Sequence, residues 1–243
     1  MSPERYLNSD KIGAFRGLPV PFMSVEQARF NMVEQQIRTW EVLDQDVLDL
    51  LYVVRREEFV PAEYRAFAFS DLEIPLYEGA SEGERMMQPK VEARILQELA
   101  VKKSEHVLEV GTGSGYLTAL LAARGHYVHS VEISPKLKAF GEENLRRGGV
   151  ENATVQLGDA AQGWRTHAPY DVIVLTGSTP VLPQTLILQL KMGGRLFAVV
   201  GDPPVMEARL MTSLGEGSWH TIDLFETCLA PLKNALQPAR FEF

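Results

Sequence analysis

The chain has 243 residues, 45% of them hydrophobic and 23% charged, with a formal net charge of −8 at pH 7. That length and balance suit one α/β domain of a soluble protein with a modest extension and a full core. The acidic balance argues against a nucleic-acid substrate. No apolar run of about 18 residues is present, which argues against a membrane span, and no basic-then-apolar leader opens the chain. The single cysteine, Cys228, excludes an internal disulfide framework and fits a reducing cytoplasm. It reads as a small buried residue in a C-terminal strand.

In chain order, residues 1–22 carry Gly13, Gly17, Pro19 and Pro21 without helical or alternating periodicity, and we expect a loosely held extension. Ser24 with Gln27 three residues on reads as a capping box opening a helix. Asp44 caps a second helix to about Val54, with an apolar stripe of Val47, Leu48, Leu50, Leu51 and Val54. The charge run Arg55-Arg56-Glu57-Glu58 reads as a solvated turn. Irregular sequence from Phe67 to Tyr77 leads into a loop, 78–89. Lys90 to Ala100 then reads as a helix with Val91, Ile95, Leu96 and Leu99 inward. Residues 23–100 thus form a helical cap and loop, compact with an α/β core over 101–243.

The core begins with the densest signal in the chain. An apolar strand, Val107-Leu108-Glu109-Val110, runs into Gly111-Thr112-Gly113-Ser114-Gly115-Tyr116, and a helix follows from Leu117 to Ala123. Glycines at alternate positions let the backbone turn sharply and approach a ligand, and the helix start offers free N–H groups. The order G-x-G-x-G, with bulky Tyr116 where a dinucleotide turn needs a small residue, fits a pyrophosphate poorly. It resembles motif I of the class I S-adenosylmethionine-dependent methyltransferases. Twenty-one residues after Gly111, Glu132 ends a second strand, Tyr127–Val131, where a carboxylate can accept from both hydroxyls of a ribose; Ile133 follows it. A third strand, Thr154–Leu157, leads into Gly158-Asp159-Ala160, and in such methyltransferases an Asp there reads the adenine amino group. Asp171–Leu175 reads as a fourth strand and 190–196 as a helix, turn and fifth strand. Alternating strands and helices with short loops predict a doubly wound, mostly parallel, Rossmann-like sheet of about seven strands behind the helical cap.

Further motifs narrow the resemblance. Met32–Arg38, Arg55–Pro61, the Gln88-Pro89 helix start, Val107–Tyr116 and the closing Leu229-Ala230-Pro231-Leu232 occur in one order. This series is similar to protein-L-isoaspartate O-methyltransferases over roughly residues 24–232, with the last four resembling that family's terminal strand. The resemblance implies S-adenosylmethionine as cofactor and transfer of its methyl to the α-carboxylate of an isoaspartyl residue in a protein or peptide. It implies cofactor contacts from Glu109, Gly111, Thr112, Gly113, Gly115, Glu132, Ile133, Asp159 and Ala160. With a pKa near ~3.5 the acceptor is already an anion at neutral pH, so no general base is required. The five histidines match no metal signature, and no metal is expected.

The loop before the third helix departs from the family, whose members carry a segment resembling Gly-x-Thr-Ile-Ser-x-Pro. Anchored on Gln88-Pro89, Met87 stands at the serine position; anchored on Gly79, Ser81 stands at the threonine position with about four residues inserted. Methionine cannot donate to a carboxylate, a loss worth ~1.5–3 kcal/mol. Ser81 or Arg85 is a candidate replacement, Arg85 the sharper one because a guanidinium grips a carboxylate with two bonds; Met87 and Gln88 complete the acceptor-loop candidates. Two other readings stay open: a methyltransferase of this fold for another small carboxylate, and a cofactor-binding protein without turnover.

Overall fold

The computed structural model describes residues 23–238; the expected extension over residues 1–22 lies outside them. Helix α1 (Val25–Asn31) starts where the Ser24 hydroxyl accepts from the Gln27 N–H at 3.1 Å. Only half of the expected capping box forms, because the Gln27 side chain donates forward to Asn31. The chain continues as a π-helical turn, Met32–Ile37. Helix α2 (Gln45–Val53) is capped by Asp44, which accepts from the N–H groups of Asp46 and Val47. Val47, Leu48 and Leu51 are its buried stripe.

Two short strands, β1 (Ile74–Pro75) and β2 (Arg85–Met86), pair antiparallel and hold the base of the loop between them. Helix α3 (Pro89–Leu99) begins with proline at its first position, where no N–H is needed. Its Val91, Ile95, Leu96 and Leu99 are buried, as the periodicity predicts.

The sheet contains β3 (His106–Val110), β4 (Tyr127–Glu132), β5 (Ala153–Leu157), β6 (Tyr170–Thr179), β7 (Leu190–Asp202), β8 (Val205–Gly215) and β9 (Ser218–Glu226). Their order is β5-β4-β3-β6-β7-β8-β9. The first five run parallel, and β8 and β9 add antiparallel hairpins at the far edge. The expected seven-stranded, mostly parallel sheet is what forms. Helices α4 (Tyr116–Arg124), α5 (Pro135–Arg147) and α6 (Gln184–Ile187) connect its strands. No helix among the described residues is long and apolar enough to cross a membrane.

Side-chain alternation along β3 and β6 splits the core into two layers. Val107, Val172 and Val174 pack toward the cap, in a cluster running from Met32 to Leu229. Leu108, Val110, Ile173 and Leu175 pack on the other face with Leu186 and Leu196. Glu109, between Val107 and residues of the opposite layer, therefore points to the cap side. Chain order reverses at β3, which lies between β4 and β6. In open α/β sheets that crevice, beyond the strands' carboxyl ends, is where ligands sit.

Four sequence-based expectations fail here. Arg56 is fully buried rather than solvated, and Glu57 pairs with Arg29; only Arg55 and Glu58 behave as a surface pair, 3.5 Å apart. Cys228 is exposed and lies just past β9. Residues 190–196 contain no helix, because β7 begins at Leu190 and the short α6 precedes it. The segment Leu229–Leu232 is not a strand; it makes a single bridge, Ser178 to Pro231.

Candidate active site

At the carboxyl end of β3 the chain makes its expected turn. Gly111 has φ +97°, and a Cβ on it would stand 2.2 Å from the Thr176 hydroxyl. That hydroxyl donates to the carbonyl oxygens of Val110 (2.9 Å) or Gly111 (2.8 Å), so β6 braces the turn from below. Gly115, at φ +80°, is the N-cap of α4 and packs on the backbone of α5. Both positions exclude a side chain, one by close approach and one by close helix packing.

Glu132 ends β4 as the spacing predicts. One of its oxygens accepts from the Gly113 N–H at 3.0 Å and the other from the Ser134 N–H at 2.9 Å. The carboxylate thus pins the glycine turn and still has lone pairs for a diol. Asp159 accepts from the Ala161 N–H at 3.0 Å and from the Asn234 side-chain amide at 2.7 Å. Thr112 and Ser130 share a hydroxyl hydrogen bond of 2.5 Å.

Glu109 is completely buried. One oxygen accepts from the Ser130 hydroxyl at 2.6 Å and from Thr118; the other has no partner among the described residues. Burial pushes this carboxyl up to about 8, against the pull of the Ser130 and Thr118 hydroxyls. Such a group sits at ease only when neutral or beside a cation.

One pocket joins these residues to the loop. It is lined in part by Glu109, Gly111, Thr112, Gly113, Glu132, Ile133, Asp159 and Ala160, the residues expected to contact cofactor. Its lining also includes Glu73, Leu76, the stretch 82–87 and the C-terminal stretch 229–233. The empty space, counted out into open solvent at the mouth, is about 1010 Å³. Of the expected residues, Gly115 and Gln88 do not line it; they are the N-cap positions of α4 and α3. Ser81 stands back from the cavity, bonded to Glu84. Arg85 and Met87 do line it, Arg85 exposed and Met87 buried.

Sequence reasoning missed the residue that fixes this loop. Arg56 donates from Nε to the Ala68 carbonyl at 3.0 Å and from Nη2 to the Met87 carbonyl at 2.6 Å. Its remaining nitrogen pairs with Glu92 of α3, itself buried and lining the pocket. Burial raises the Glu92 carboxyl to about 7 and Arg56 opposes that rise. The local signal, four charges in a row, pointed the wrong way. Glu84, Thr176, Lys233 and Asn234 were also missed, since nothing in their neighbourhoods marks them.

The histidines gather elsewhere. His129 stacks on His167 with ring centres 3.9 Å apart, and His106 and His126 pack 4.9 Å from each other, around the amino-terminal ends of β3 and β4. Among the described residues no group of three His, Cys, Asp or Glu side chains is placed to hold a metal ion.

A glycine turn at the switch point of a parallel sheet, with acidic residues after the next two strands, defines the nucleoside site of a class I methyltransferase. The cradle that excludes a Cβ at Gly111 and the unpartnered oxygen of Glu109 fit a cationic nucleoside cofactor. The model of the protein-L-isoaspartate(D-aspartate) O-methyltransferase family matches residues 27–235. A protein-L-isoaspartate O-methyltransferase of Methanoculleus marisnigri is 40% identical over 84% of this chain and 90% of its own length. One of Syntrophobacter fumaroxidans is 36% identical over 82% of this chain and 91% of its own. A solved protein-L-isoaspartate O-methyltransferase superposes with TM-score 0.71 at 25% identity, over 85% of this chain and 65% of that one. A Plasmodium falciparum structure of the same fold, holding S-adenosyl-L-homocysteine, gives TM-score 0.71 at 21% identity over 83% of this chain and 96% of that one. The chain belongs to the protein-L-isoaspartate O-methyltransferase family, and is an S-adenosylmethionine-dependent O-methyltransferase.

Proposed function

We propose that this protein methylates the α-carboxylate of isoaspartyl residues in proteins or peptides, in the cytoplasm and without nucleic acid or metal. The observation that carries this reading is a cavity lined by both the glycine turn and the loop 82–87. Bound S-adenosylmethionine supplies an electrophilic sulfonium methyl. The Gly111–Gly113 backbone would cradle it, Glu132 would hold its ribose hydroxyls, and Asp159 with Ala160 and Ile133 would border its adenine. Glu109 lines the cavity with one oxygen unpartnered among the described residues, and a cation beside it would favour its charged form. The acceptor is an anion at neutral pH, so the chain's work is alignment and exclusion of water rather than proton removal. Buried Met86 and Met87 with Leu76 supply the dry wall. Arg85, exposed and lining the cavity near Glu73, with no side-chain hydrogen bond or ion pair among the described residues, is the candidate partner for the acceptor carboxylate in place of a serine.

The test compares methyl incorporation into an isoaspartyl peptide and its normal aspartyl twin. Transfer to the first and not the second supports the reading. Cofactor binding by calorimetry without transfer to either peptide overturns it.

A further inference from the structure

Among the described residues lining the pocket, the cationic side chains are Arg85 and Lys233. Lys233 comes from the C-terminal stretch 229–233, which lines the pocket and packs beside the loop, the Pro231 carbonyl lying close to Gly83. Its Nζ already holds a carboxylate within the pocket: the Oε1 of Glu84 lies 3.1 Å away. The other Glu84 oxygen accepts from the Tyr77 hydroxyl, the Ser81 N–H and the Ser81 hydroxyl. The two oxygens are therefore unequally committed, one to three donors and one to Lys233 alone. The Glu84 carboxyl is held down at about 2 mainly by Tyr77 and then Ser81, with Lys233 contributing less. Glu84 would stay anchored if Lys233 left it.

We infer that Lys233 is an acceptor-binding residue that exchanges the Glu84 carboxylate for the carboxylate of the substrate. The inference rests on the isoaspartyl reading given above. Glu84 acts as the resident stand-in, keeping the lysine at the cavity and neutralised until an acceptor anion enters. With Arg85, the other cationic side chain of the lining, the cavity offers the acceptor carboxylate two cations. This supplies charge where the Met87 wall supplies none.

The alternative is that the Glu84–Lys233 pair is only a latch between loop and C-terminal segment. The two accounts differ in sign. If Lys233 binds the acceptor, Lys233→Met raises the KM for an isoaspartyl peptide about tenfold, whereas Glu84→Gln frees the lysine and lowers that KM. Lys233→Arg, which keeps the charge, restores most of the affinity. The calorimetric Kd for S-adenosylmethionine stays unchanged in all three, which also shows that each variant is folded. A latch would make Lys233→Met and Glu84→Gln raise KM alike, and that result overturns the proposal. So does an unmoved KM in Lys233→Met. If the unaltered protein binds cofactor but methylates no isoaspartyl peptide, the functional reading falls first and this proposal with it.

Discussion

The glycine turn 111–115 and the loop 78–88 contribute to one cavity, yet they are held by different means. The turn is shaped by its own backbone, with positive φ at Gly111 and Gly115, and is braced at backbone atoms by the Thr176 hydroxyl and the Glu132 carboxylate. The loop is held by side chains reaching from afar, Arg56 to the Met87 carbonyl and Lys233 to Glu84. A site fixed by backbone tolerates almost no change. One fixed by side chains can be remade for another acceptor while the cofactor half stays as it is.

The largest effect should come from breaking the backbone half. Gly111→Val places a branched side chain where even a Cβ meets Thr176 at 2.2 Å, on a backbone at φ +97°. Strain of ~1–3 kcal/mol adds to the clash. S-adenosylmethionine binding should weaken by about a hundredfold or more, measured by calorimetry; an unchanged Kd would show that the turn is not the cofactor cradle.

The side-chain half should fail through Arg56. Arg56→Met leaves Glu92 buried without its partner and should cost about 3–5 kcal/mol in urea unfolding. Replacing Glu92 by Met as well should recover much of the loss, since a buried pair often gives little over apolar packing. If the double variant is no more stable than the single one, the two carbonyl bonds of Arg56 carry the stability instead.

A smaller and pH-dependent effect belongs to Glu109. Its folded pKa of about 8 lies above the ordinary 4.5, so the folded state binds the proton more tightly than the unfolded one. The stability this gives is complete below pH 4.5 and is lost as pH rises toward 8. Glu109→Gln, neutral throughout, should gain on the unaltered protein by up to about 1.4 kcal/mol per pH unit across that window. Melting temperatures from pH 4 to pH 9 measure it, and a difference that does not change with pH would contradict the burial argument.

The two halves were also unequally legible in the sequence. The strand, the glycine spacing, Glu132 and Asp159 are local features, repeated at fixed distances because a parallel sheet repeats its geometry. The loop's supports are not local. Arg56 meets Glu92, 36 positions along the chain, and Lys233 meets Glu84, 149 positions away. A run such as Arg55-Arg56-Glu57-Glu58 looks solvated in any short window, and only the packing of α3 against the cap buries one member of it. Cys228 misled for a related reason: the chain leaves the sheet after Glu226, and an apolar residue type does not show on which side of that boundary it falls.

Arg85→Met tests most directly whether the halves answer separately. The account predicts that the KM for an isoaspartyl peptide rises about tenfold while the calorimetric Kd for S-adenosylmethionine stays within about twofold. A Kd that climbs together with KM, or a KM that does not move, would contradict it.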